Sequence, residues 1–114
     1  MTGRAVTVLL DHWLPRRMIS AFPLHEIRTV ADVGWERLRN GRLLAEAGDK
    51  FDVLLAIDNK IKKGQDLSRL PIAVIVVMAA TNRLEDVLPF VPAIERTLTS
   101  IRPKTLVEVL LPSK

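Results

Sequence analysis

Ala5-Val6-Thr7-Val8-Leu9-Leu10, closed by Asp11, and Phe51-Asp52-Val53-Leu54-Leu55-Ala56-Ile57, closed by Asp58, decide the fold. Their β-branched and leucine side chains run almost without polar alternation. Such runs belong to strands covered on both faces, and two-sided burial is the property of a parallel sheet. Open parallel sheets present ligands and chemistry at the carboxyl ends of their strands. Each run delivers a carboxylate to that edge.

Working outward, turn chemistry and periodicity predict five strands, over 4–10, 25–30, 51–57, 72–78 and 105–110. The fourth is the most apolar and reads as the central one. Pro15 suits the opening of a short helix over 15–22, with Asp11 or a near neighbour as its cap. Leu38, Leu43, Leu44 and Ala47 share one helical face, with Asn40 as cap and Gly48 as stop. Asn82-Arg83-Leu84-Glu85 has the spacing of a capping box, opening a helix that reaches about residue 101. Pro89 and Pro92 bend or delay that helix. Residues 59–67 read as a basic loop or a single helical turn. Strands alternating with helices give an α/β three-layer sandwich, with a parallel sheet of four or five strands, helices on both sides and right-handed crossovers.

At 114 residues the chain is one domain, 1–114, and with 48% hydrophobic and 26% charged residues it can bury an ordinary core. No apolar stretch approaches the roughly 20 residues of a membrane helix, and the amino-terminal run is too short for a signal peptide. These readings place the chain in the cytoplasm. Cysteine is absent, which removes disulfides, thiolate metal sites and a cysteine nucleophile. Neither a dinucleotide fingerprint nor a phosphate-binding loop occurs. A net charge of +4 suits an anionic partner such as RNA, DNA or an acidic protein.

Three strings carry a resemblance. Leu9-Leu10-Asp11-His12-Trp13-Leu14-Pro15, Gly34-Trp35-Glu36-Arg37-Leu38-Arg39-Asn40-Gly41-Arg42-Leu43-Leu44 and Phe51-Asp52-Val53-Leu54-Leu55-Ala56-Ile57-Asp58-Asn59 follow one another at intervals that resemble the small PIN-like domains related to the toxin halves of bacterial toxin–antitoxin pairs. The likeness extends over nearly the whole chain, including Asn82-Arg83-Leu84. It implies a three-layer sandwich and metal-dependent cleavage of RNA by acids at the carboxyl edge of the sheet. It also implies an antitoxin protein as partner. Asp11 and Asp58 match the family's acids, and on this reading are both catalytic residues and ligands of Mg²⁺ or Mn²⁺, hard ions that prefer carboxylate and water oxygens.

The chain departs from the family at three places. His12 stands where relatives carry a second acid, Asn40 falls at the helix acid, and Lys60 lies two places beyond the third-strand aspartate. His12, Asn40 and Asn82 are accessory candidates, each with a plain alternative as a surface group or helix cap. Asp11 and Asp58 have the plain alternative of turn and cap bonding. Arg16 and Arg17 follow the first strand and Lys60, Lys62 and Lys63 the third, so a parallel sheet puts both groups on the aspartates' edge, where they can hold an RNA backbone. Arg37, Arg39 and Arg42 extend that face. Trp13 and Trp35 are either base-stacking platforms or core-closing residues. Two other readings stand beside the nuclease. One is a catalytically degenerate PIN-like domain that binds RNA or protein. The other is a homodimer formed through the carboxyl-terminal helix and strand.

Overall fold

The computed structural model of the chain describes residues 6–12, 14–38, 40–57 and 70–110. Five strands, β1 Thr7–Leu10, β2 Glu26–Thr29, β3 Val53–Ile57, β4 Ala73–Val77 and β5 Leu106–Val109, form one sheet in the order β2-β1-β3-β4-β5. Every neighbouring pair is parallel. β3 is therefore the central strand. β4 is buried along its whole length but lies one place off centre, between β3 and β5. Residues 58–69, which join β3 to β4, lie outside the described residues.

Side chains alternate between two cores. Val8 and Leu10 of β1, Val53, Leu55 and Ile57 of β3, and Ala73, Ile75 and Val77 of β4 face the first. Leu9, Leu54, Ala56, Val74 and Val76 face the second. A 3₁₀ helix at Arg16–Ala21 covers the first face through Met18, with Phe22 following it. Beside it on the same face lie α2 (Leu84–Val87) and α3 (Val91–Ser100), through Val87, Ile94 and Leu98. Helix α1 (Asn40–Lys50) covers the second face through Leu43, Leu44 and Ala47. The result is a three-layer sandwich.

This layering corrects the expectation of uniformly right-handed crossovers. The β1-to-β2 connection moves one way along the sheet over the first face. The β4-to-β5 connection moves the opposite way over that same face, so the two have opposite hands. The β2-to-β3 crossover, moving as β4-to-β5 does but over the second face, shares the hand of the first. Coverage accounts for the exception, since six residues of 3₁₀ helix are too few to seal the first face. The outer strand agrees: Val109 is buried on the first face, whereas Glu108, on the other, is exposed.

Several element ends also differ from expectation. The 3₁₀ helix takes Pro15 as its capping residue with no side-chain cap bond, so Asp11 is not its cap. Asn40 is the first residue inside α1. Gly48 does not stop α1, which continues to Lys50; a Cβ there would come within 2.6 Å of the Pro71 carbonyl oxygen, so glycine serves close packing. Gly34 has the conformational role, at φ +76° in the turn after β2. Thr81, not Asn82, prepares α2: its hydroxyl accepts the Arg83 N–H at 3.1 Å and bonds the Asp86 carboxylate. The prolines do interrupt the last helix as expected: it runs as α2, a 3₁₀ turn at Leu88–Phe90 and α3, with Pro89 inside the turn and Pro92 in the first turn of α3. Among the described residues no helix is long and apolar enough to cross a membrane.

Candidate functional site at the carboxyl edge of the sheet

The chain leaves β1 toward β2 and β3 toward β4, on opposite sides of the β1–β3 seam. The strand order therefore switches at this seam, and the carboxyl end of such a switch point is the ordinary ligand position of an open parallel sheet. Asp11 stands there. Its N–H donates to the Leu55 carbonyl at 2.9 Å, carrying the β1–β3 ladder one residue further, and its carbonyl accepts the Leu14 N–H at 3.1 Å. The residue is 8% exposed and is the one buried polar or charged residue among the described residues. A carboxylate is costly to remove from water, so its presence here sets this end of the seam apart from the apolar core below it.

Asp58 directly follows Ile57, the last residue of β3, and lies outside the described residues. So do Trp13, Arg39, Lys60, Lys62 and Lys63. His12 is exposed in the turn after Asp11, and Asn82 is exposed before α2. Trp35 packs edge-on against Phe51, ring centroids 6.1 Å apart, and belongs to the second core. It is half-buried against that core, in the core-closing position.

Arg16 and Arg17, at the start of the 3₁₀ helix, are both exposed. Together with Ile19, Ser20, Leu84 and Leu88 they line a groove of about 460 Å³ between that helix and α2. Asp32, in the turn after β2, was not singled out from the sequence. One of its oxygens stands 3.3 Å from an Arg16 guanidinium nitrogen. The other accepts the Thr29 N–H at 3.0 Å, and the Thr29 hydroxyl accepts the Asp32 N–H at 3.0 Å. The Thr29 backbone bond, then its hydroxyl and the Arg16 and Arg28 charges, hold the Asp32 carboxyl below its ordinary value against the opposing effect of burial. Its pairing with Arg16 crosses two elements, and only a three-dimensional arrangement reveals it.

A second cavity, of about 370 Å³, opens at the opposite edge between Phe51, Asp52, Ile72, Leu98, Arg102 and Lys104. The carboxyl ends of α1 and α3 lie near this edge. Their partial negative charge is of the sign that Lys50, Arg102 and Lys104 offset. Strand amino ends and compensated charge make this cavity a structural feature of the edge, remote from Asp11.

Also away from the carboxyl edge, His25 is half-buried as a residue, with 5% of its side chain exposed. Its Nδ1 accepts the Val6 N–H at 3.2 Å, which puts the neutral ring's proton on Nε2. Nε2 lies 3.2 Å from Glu95 Oε1 of α3, in an alignment too poor for a hydrogen bond. With Nδ1 bonded to the Val6 N–H and Nε2 set against Glu95, His25 ties the amino end of β1 to α3.

Comparison with protein families, curated proteins and solved structures returns no match for this chain.

Proposed function

We propose that the protein is a metal-dependent ribonuclease of the PIN-like class, acting at the carboxyl edge of its sheet. The observation that carries the reading is Asp11, a buried carboxylate at the β1–β3 seam, in a chain whose sequence resembles that class. Asp58, next in sequence to the end of β3, is the second acid of the proposed site.

The donor set fits a hard divalent cation at its lower limit. Mg²⁺ is commonly held by one or two carboxylates, with water and substrate phosphate oxygens completing its shell. Among the described residues no three His, Cys, Asp or Glu side chains group to hold an ion. Asp11 and Asp58 would therefore bind Mg²⁺ or Mn²⁺ weakly until an RNA phosphate completes the shell. Such an ion supplies an activated water and screens charge on the scissile phosphate. Arg16 and Arg17, with Lys60, Lys62 and Lys63, would hold the RNA backbone by charge, independent of sequence. A toxin role and a small antitoxin partner follow from the same resemblance.

One observation favours a second reading, an RNA- or protein-binding domain without catalysis. His12, which replaces an acid of the family, is exposed and contributes no carboxylate. Cleavage of a labelled unstructured RNA with Mn²⁺, with Mg²⁺ and with chelator separates the two. The nuclease reading expects metal-dependent cleavage that Asp11→Asn and Asp58→Asn each abolish. If both variants cleave as fast as wild type, that reading is wrong. RNA binding that survives chelator without any cleavage selects the second reading.

A further inference from the structure

We infer that Asp32 is a positioning residue, fixing the Arg16 guanidinium at the carboxyl edge for contact with an RNA phosphate. The inference rests on the proposal that this edge holds an RNA backbone, and it names a residue that the sequence resemblance does not supply.

The geometry divides the work of the two Asp32 oxygens. Oδ2 accepts the Thr29 N–H while the Thr29 hydroxyl accepts the Asp32 N–H, so a reciprocal pair locks the carboxylate against its own turn. Oδ1 is left for Arg16 at 3.3 Å. Thr29 is the last residue of β2 and is level with Leu10, the last of β1. The lock therefore sits on the edge that carries Asp11. Asp32 retains 20% of its side-chain exposure while Arg16 keeps 72%. A buttressed anion is holding a solvent-facing cation, and not the reverse. Guanidinium has five N–H donors in a planar fork, and one carboxylate oxygen occupies only part of that fork. The remainder is available for a phosphate. A long side chain already fixed near its bound geometry loses less freedom when the ligand arrives.

Charge and position make opposite predictions, so the inference is testable. Asp32→Asn keeps an oxygen for the Thr29 N–H but removes one negative charge, taking the formal net charge from +4 to +5. Electrostatics alone then tightens RNA binding. Positioning weakens it, by about three- to tenfold, the range expected when one long side chain must be ordered anew.

The probe is a short fluorescent oligouridine in low salt with chelator, so that binding is read without cleavage. The proteins are wild type, Arg16→Ala, Arg17→Ala, Asp32→Asn, and Asp32→Asn combined with each arginine variant. The expected result is that Arg16→Ala and Asp32→Asn each weaken binding. The Asp32 effect should vanish in the Arg16→Ala background and persist in the Arg17→Ala background, a split that general damage to the fold would not produce. NMR of the Arg16 side chain is a second reading without RNA: its Nη–H resonances should be resolved and restricted in rotation in wild type and averaged in Asp32→Asn. If Arg16→Ala weakens binding while Asp32→Asn tightens it or leaves it unchanged, the inference falls and the phosphate-binding face stands. If wild type does not bind, or Arg16→Ala binds as wild type does, the phosphate-binding face falls and takes the inference with it.

Discussion

Thr7 and Asp52 clasp each other across the amino end of the β1–β3 seam. The Thr7 N–H and hydroxyl both donate to Asp52 Oδ2, at 3.0 and 3.2 Å, and the Asp52 N–H is within 3.1 Å of the Thr7 hydroxyl oxygen. The seam that carries Asp11 at its carboxyl end is thus tied at its amino end. Bonds to a charged acceptor outweigh neutral ones, though exposure weakens them. Asp52→Ala should lower stability by about 1–2 kcal/mol in urea titration. In a double-mutant cycle Thr7→Val should add much less to Asp52→Ala than it costs alone. Additive losses would show that the clasp contributes nothing.

Gly48→Ala separates helix propensity from packing. In an open helix the change stabilises by up to about 1 kcal/mol. Here the new methyl would meet the Pro71 carbonyl oxygen at 2.6 Å, and a backbone atom cannot turn aside. A net loss of about 1–3 kcal/mol is expected from overpacking. A gain in melting temperature would place α1 farther from Pro71 than described.

Ile94→Ala tests the layer assignment. Ile94 is fully buried on α3, in the same core as Met18 of the 3₁₀ helix. Truncation should cost about 2–5 kcal/mol by urea midpoint. A cost near zero would mean that α3 does not seal the first face.

The His25 tie makes a spectroscopic prediction. Nitrogen shifts of the neutral ring should show the proton on Nε2, because Nδ1 accepts from Val6. His25→Leu strands that N–H and should cost about 1–3 kcal/mol. A ring protonated on Nδ1 would contradict the arrangement.

Stability should follow the Asp32 carboxyl in a defined direction. Its folded value lies below the ordinary 3.8. The unfolded chain therefore takes up this proton first as pH falls. The contribution is complete above the unfolded value and is lost as pH falls through the folded one. The margin of wild type over Asp32→Asn in melting temperature should be level from about pH 7 to 5 and shrink below about pH 4. A margin that grows with acid would reverse the sign.

The strands were legible because two-sided burial leaves an uninterrupted apolar run, and Asp11 was legible because it ends one. The side on which each helix lies was not. Val53, Leu55 and Ile57 face one core and Leu54 and Ala56 the other, and both sets are equally apolar. Nothing in such a strand says which face the next helix covers, so the opposite-handed crossover left no trace. Asn82 satisfied the capping spacing, yet Thr81, one residue earlier, reaches the N–H. A one-residue shift is below what spacing resolves. The Arg16–Asp32 pair was hidden for another reason: it depends on the turn after β2 returning to the level of Leu10, which is a matter of sheet register.

Placing α2 and α3 beside the 3₁₀ helix also sets an order of events during synthesis. Val8, Leu10, Met18 and Phe22 emerge early, but the residues that cover the first face beside them, Val87, Ile94 and Leu98, belong to the last third of the chain. Until those residues leave the ribosome the face stays uncovered, and exposed apolar surface on a partly made chain invites association with chaperones or with other chains. Completion then requires closure of a long loop, a slow step relative to local helix formation. The amino-terminal half is thus committed to waiting for the carboxyl-terminal one, and a chain cut short before α2 should be captured by the quality-control machinery instead of accumulating as a smaller folded unit.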